Sequence, residues 1–155
     1  MEPRLNYSQV APGVVKAMSE LGAYTGHSGL EPRLLELVKT RASQLNGCAY
    51  CLDMHTKDAQ VLGESAQRLF ALSAWRETPF FSERERAALE WTETVTLVSE
   101  THIPDDAYEL ARKCFTEKEL VDLTLAIVAI NGWNRLAIAF RTVPGTYQPA
   151  RQKKG

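Results

Sequence analysis

Strand signals are nearly absent from this chain, since no alternating apolar runs are joined by Asn-Gly or Asp-Gly turns. That excludes a sheet architecture. A surplus of positive charge is also missing. The formal net charge is −1, whereas a phosphate-binding surface needs a concentrated basic patch, so nucleic acid is excluded as a partner. The basic tail Arg151-Gln-Lys-Lys154 is short and terminal and reads as a solvated end. Long hydrophobic runs are lacking too. The longest, Leu123 to Ile130, is interrupted only by Thr124 and falls far short of the roughly 20 residues that span a bilayer. Met1 to Lys16 has no charged start followed by an apolar run, so no secretory signal is expected. The expectation is a cytoplasmic protein with no membrane partner. Cysteine is scarce, with three in 155 residues. In a reducing compartment a close cysteine pair reads as catalytic or metal-binding rather than as a permanent staple.

What is present is helical periodicity in a single domain's length, residues 1–155, with 45% hydrophobic and 24% charged residues. A loose lead-in precedes a short helix from Pro12 to about Leu21, and the glycines between Gly22 and Gly29 mark a loop. Ser28-Gly-Leu-Glu31 fits a capping box, with Pro32 in the first turn of a helix to about Asn46. Its apolar stripe is Leu35, Val38, Ala42 and Leu45. A second row, Glu36, Thr40, Ser43 and Gly47, is mostly small, which lets another helix pack closely. Gly47 is a plausible stop. The next helix runs from near Cys48 to about Leu62, with Asp53, Lys57 and Gln60 on its outer face. Further helices fit Ser65 to Trp75, Ser82 (capping box) to about Ser99, Pro104 to Phe115, and Thr116 (capping box) to Arg141. The last is apolar on nearly all sides from Leu120 to Ile130, which implies central burial or an oligomer interface. Gly132 allows a kink or a close contact. The expected fold is all-α, with about six to seven helices.

The chemistry concentrates in Cys48-Ala-Tyr-Cys51 and His55. Positions 48, 51 and 55 share one helical face. The amino terminus of a helix favours a thiolate through its free N–H groups and dipole. A Cys-X-X-Cys thiol there can fall from a pKa of about 8.5 to roughly 3.5–7.5. Such a thiolate attacks a peroxide to give a sulfenic acid, and the second thiol closes a disulfide that a reductant reopens. His55 suits the proton traffic, and Glu36 on the preceding helix can orient it. Zinc is the chemical rival, with Cys48, Cys51, His55 and Glu36 as ligands, although structural zinc usually takes two separated ligand pairs. His27 and His102 read as surface histidines, and Cys114 as a partly buried structural thiol. The helix dipole favours Cys48 as the attacking sulfur, and proximity to His55 favours Cys51.

Glu36, eleven residues, then Cys48-Ala-Tyr-Cys51-Leu-Asp-Met-His55 resembles the AhpD-type alkylhydroperoxidases of the carboxymuconolactone decarboxylase superfamily. Leu37 to Asn46, Thr56-Lys-Asp-Ala59, Leu72 to Thr78, Glu83 to Arg86 and Ile130 to Arg135 are similar to stretches recurring there, so the likeness covers about residues 12–141. The resemblance implies a helical fold assembled as trimers or hexamers, with no cofactor and no metal. It implies reduction of an organic hydroperoxide by Cys48 and Cys51, with Glu36 and His55 as proton relay and a lipoylated or thioredoxin-like dithiol as donor. It leans toward Cys51 meeting the peroxide. The family's best-known branch has a relay histidine just before the second cysteine. Here that residue is Tyr50, whose pKa near 10 makes it a poor shuttle. The superfamily's lactone-acid decarboxylases, which need no dithiol, are the alternative. A non-enzymatic helical assembly with a structural or metal-binding dithiol is a third reading. Trp133, Asn134 and Arg135 read as structural, with Arg135 suited to a subunit contact.

Overall fold

The computed structural model describes residues 2–150, and the basic tail Arg151–Lys154 lies outside them. Every described element is helical: α1 (Tyr7–Val10), α2 (Pro12–Gly26), α3 (Pro32–Asn46), α4 (Ala49–Val61), α5 (Ala66–Ala71), a 3-10 helix (Leu72–Glu77), α6 (Glu83–Thr96), α7 (Val98–Thr101), α8 (Asp105–Cys114) and α9 (Glu117–Phe140). Nine α-helices among the described residues exceed the six to seven expected. Two of the extra pieces, α1 and α7, are four residues long. The helix expected from Ser65 to Trp75 divides into α5 and the 3-10 helix, where Ala74 leaves helical geometry.

Local chemistry explains most boundaries. Ser82 and Thr116 each form the expected capping box, with Glu85 and Glu119 returning the hydrogen bond to the cap backbone. Gly47 ends α3 at φ +69, a left-handed conformation that costs glycine nothing. Ser28, in contrast, caps nothing. Helix α2 continues through Gly22 to Gly26, so Ser28 still lies beside its last turn and donates to the Thr25 carbonyl at 2.7 Å. Helix α3 starts at Pro32 without a side-chain cap. Each helical glycine costs about 1 kcal/mol relative to alanine. Packing of α2 along α9 outweighs it: a β-carbon on Gly132 would sit 2.7 Å from Met18 Cε, and the Tyr24 hydroxyl donates to Asp122 at 3.1 Å.

Helices α3 and α9 pack against each other at the centre. Helix α6 packs on both, α8 lies outside α6, α4 lies against α3, and α2 runs along α9. Leu123 and Ile127 of α9, Val38 of α3 and Ala88 of α6 are fully buried in one cluster. Leu37, Leu72 and Leu89 are buried in a second. Helix α9 has 24 residues and a mean hydropathy of 1.4 over its most apolar 18-residue window. Length and composition would suit a membrane span. Here that apolarity serves a central helix with neighbours on several sides.

Leu123→Ala leaves a cavity where nothing can collapse, and should cost about 2–5 kcal/mol in chemical denaturation. Thr116→Ala removes one cap and should cost about 1 kcal/mol. A larger loss from the cap than from the core would contradict this account of where the stability resides.

Candidate active site

The cysteines lie where α3 hands over to α4. Cys48 is the N-cap of α4, in extended conformation, and its Sγ accepts the Cys51 backbone N–H at 3.3 Å. Sulfur thus takes the place usually held by a serine or aspartate oxygen. Cys48 and Cys51 form a disulfide, with Cα atoms 5.4 Å apart. Both are 1% exposed and belong to a cluster with Ala42, Ile130 and Ala137, against which Tyr50 and Trp133 pack. The Cys51 N–H points at the Cys48 sulfur and the pair sits at the positive end of the α4 dipole, which favours a thiolate over a thiol there.

The turn itself is held from behind. Asn134, fully buried, donates to Ser43 Oγ at 3.0 Å and accepts from Asn46 Nδ2 at 2.8 Å. Asn131 accepts from Asn46 and donates to Thr96. These side chains tie the end of α3 to α9 just before Gly47, and so fix where Cys48 starts the next helix. Asn134 is structural, as its sequence context implies. Trp133 is not purely so, because it stands in the wall of the cavity described below. Arg135 bonds only within its own helix among the described residues, to Asn131.

Glu36 on α3 reaches His55 on α4: Oε2 and Nδ1 are 2.8 Å apart, and both residues are 7% exposed. Lys39 Nζ donates to the other Glu36 oxygen at 2.7 Å. Burial alone would push the Glu36 carboxyl up. The His55 hydrogen bond and charge, with Lys39 beside them, prevail and hold it below the usual glutamate value. Glu36 is therefore ionised at neutral pH. Nδ1 must carry the proton of that hydrogen bond, which leaves Nε2 as the free nitrogen of the neutral ring. Helices α3 and α4 pack against each other, and on α3 the small side chains Thr40 and Ser43 are wholly buried.

Cys51, Tyr50, Met54, His55 and Lys39 line a cavity of about 660 Å³, closed by Ile130 and Trp133 of α9 and by residues before α2 and after α9, among them Tyr7 and Val143. Cys48 is not among its lining residues. A ligand in the cavity thus meets Cys51 and His55, with Cys48 behind. All four sequence candidates converge here, and Tyr50 lies in the cavity wall. Glu36, His55 and Asp58 also bring donor atoms within 4.8 Å of one another. Those atoms are engaged already, by Lys39 on Glu36 and by the Tyr147 hydroxyl on Asp58 at 2.8 Å, which suits proton handling better than a metal ion. His27 and His102 are exposed, and Cys114 is free and partly buried.

Asp58 and Lys39 fall in stretches that resemble the family but carry no expected site role, and Tyr7 and Tyr147 carry none either. Asp58 follows His55 by three residues, a spacing that marks it as a neighbour on the same helix surface. Tyr147 lies in an irregular segment whose path no local pattern predicts. Asp53 and Lys57, expected on an open outer face, instead hold that segment: Asp53 accepts from the Gly145 N–H and Lys57 donates to the Tyr147 carbonyl, each at 3.0 Å.

The carboxymuconolactone decarboxylase family model matches residues 12–94. The uncharacterised protein YdfG of Bacillus subtilis is 45% identical over 139 residues, covering 90% of this chain and 95% of that protein. The uncharacterised YnjA of Escherichia coli is 33% identical over 101 residues, covering 64% of this chain and 54% of that one. A crystal structure from Agrobacterium tumefaciens, a protein of unknown function described as a candidate antioxidant defence protein AhpD, superposes with a TM-score of 0.91. It shares 45% identity, and the match covers 94% of this chain and 100% of that one.

Because its folded carboxyl is held below the unfolded value, Glu36 contributes stability that is present above about pH 4.5 and lost as pH falls through its folded pKa. Glu36→Gln should flatten that part of the stability curve. Urea titrations between pH 6 and 3 should show wild-type stability falling more steeply than the variant's, and parallel curves would remove the charged pair from the account.

Proposed function

The chain belongs to the carboxymuconolactone decarboxylase family and has its AhpD-like helical fold, and on that premise we propose that it is a thiol-dependent peroxidase. The observation that carries this reading is the buried Cys48–Cys51 disulfide beside the Glu36–His55 pair, opening through Cys51 onto a largely apolar cavity. An organic hydroperoxide enters the cavity. The Cys51 thiolate attacks its terminal oxygen, the O–O bond breaks, and the departing alkoxide takes a proton delivered through His55, leaving an alcohol. Cys51 is then a sulfenic acid. The Cys48 sulfur attacks it, water leaves, and the disulfide closes. A dithiol donor, lipoylated or thioredoxin-like, reopens it and carries away the two electrons.

Residue placement supports a division of labour. Cys51 shares the cavity wall with His55, so it meets substrate. Cys48, at the helix N-cap and out of that wall, resolves. Glu36 holds the tautomer of His55 and balances the charge when the ring is protonated. Tyr50, in the cavity wall, takes the place of a relay histidine and offers the relay a hydroxyl that is a poor proton shuttle at neutral pH. The cycle belongs in a cytoplasmic, reducing compartment. Val121 and Val128 are exposed on α9, which fits association with further copies of the chain as a trimer or hexamer. The family's lactone-acid decarboxylation needs no dithiol and leaves this one without a task.

One equivalent of an organic hydroperoxide should remove two titratable thiols from the reduced protein. Cys48→Ser and Cys51→Ser should each abolish turnover with a dithiol donor. In Cys48→Ser, a sulfenic acid should form on Cys51 and be trapped by dimedone, while Cys51→Ser should give no adduct. Full activity in both serine variants, or decarboxylation of a lactone acid that survives thiol alkylation, would overturn the proposal.

A further inference from the structure

Asp58 is a carboxylate for which the cycle above has no use. It lies three residues beyond His55 on α4, within 4.8 Å of the Glu36 and His55 donor atoms. It accepts a hydrogen bond from Tyr147 at 2.8 Å. Tyr147 belongs to the stretch after α9, whose described residues, 141–150, have no regular structure of their own. That segment is tied to α4 at two other points: the Gly145 N–H bonds Asp53, and the Tyr147 carbonyl receives Lys57. The three bonds fall on neighbouring turns of one helix and so fix the position of the Tyr147 hydroxyl. Thr142, Val143 and Thr146 of the same segment form part of the cavity wall.

We propose that Asp58 and Tyr147 are positioning residues for the Glu36–His55 pair. The Asp58 charge raises the proton affinity of the pair, and Tyr147 moderates that charge while holding the C-terminal segment over the cavity. An ionised carboxylate within about 5 Å favours a protonated imidazole. A hydroxyl aimed at that carboxylate offsets part of its field. Burial, then the Asp58 carboxylate, with Glu36 and Tyr50 adding to them, push the Tyr147 hydroxyl above the ordinary tyrosine range. It therefore remains a neutral donor at every pH where a thiol peroxidase works.

The other titratable groups around His55 are few. Helix α3 brings Glu36 and Lys39, and α4 brings Tyr50, Cys51 and Asp58. The segments at the two ends bring Tyr7 and Tyr147. Helix α9 presents Ile130, Trp133 and Ala137, none of them ionisable.

The consequence for turnover rests on the peroxidase reading, but the electrostatic role does not, and one experiment separates them. In the disulfide form the cysteines do not titrate. The chain has three histidines, so NMR can follow each imidazole against pH, with exposed His27 and His102 as internal references. Tyr147→Phe should move the His55 transition up by about half to one pH unit, and Asp58→Asn should move it down by about as much. His27 and His102 should stay put. Structural damage alone would move both variants in one direction. Shifts of the same sign, or no shift in either variant, would overturn the proposal. In the reduced protein, the acid limb of hydroperoxide-driven thiol oxidation should follow the same opposite displacements. If His55 shifts as stated while the thiols ignore hydroperoxide, the positioning role stands and the peroxidase reading falls.

Discussion

The contact between Glu36 and His55 is the constraint on which the site is built. A buried carboxylate is tolerated only with partners, and this one has an imidazole on one oxygen and a lysine ammonium on the other. The contact crosses from α3 to α4, so it works only if the two helices pack at close range and in one register. Helices α3 and α4 are in extensive contact, with Thr40 and Ser43 of α3 wholly buried. The Gly47 turn and the asparagine network behind it supply the register. Shifting α4 by one residue would turn His55 out of reach and move Cys48 off the N-cap.

The same handover brings the two sulfurs together. A cysteine at the N-cap and another at the third helical residue are brought together by the helix start itself, with the Cys51 N–H directed at the Cys48 sulfur. The disulfide joins neighbours within one turn of the helix start. The core clusters of α3, α6 and α9 and the Asn134 network frame that pair. Cys51 is presented to the cavity and Cys48 to the interior, an asymmetry set by the direction of α4.

Much of this was legible in the residues. The capping boxes at Ser82 and Thr116, the stop at Gly47 and the shared face of Cys48, Cys51 and His55 are local patterns, each spanning a turn or two of helix. Glu36 was legible as the charged member of an otherwise small row. The misreadings have local causes as well. The glycines of α2 suggested a loop, but the helix is sustained by its contact with α9, about a hundred residues away. Ser28 matched a capping pattern beside a helix that begins later. Asp53 and Lys57 looked like a solvated face because nothing nearby in the chain announces the segment that covers them.

The residues alone dictate the helical class and put Cys51 and His55 one turn apart on one helix with Cys48 at its start, because those follow from a period of 3.6 residues and from the preferences of helix ends. They also point to the carboxylate one helix earlier. It took the packed molecule to bring this carboxylate against the ring, to turn one sulfur and not the other to the cavity, and to line that cavity with the segments before α2 and after α9. Those outcomes depend on which surfaces meet across long stretches of chain. Such meetings are chosen by the packing of the whole core and leave no periodic trace in any one segment.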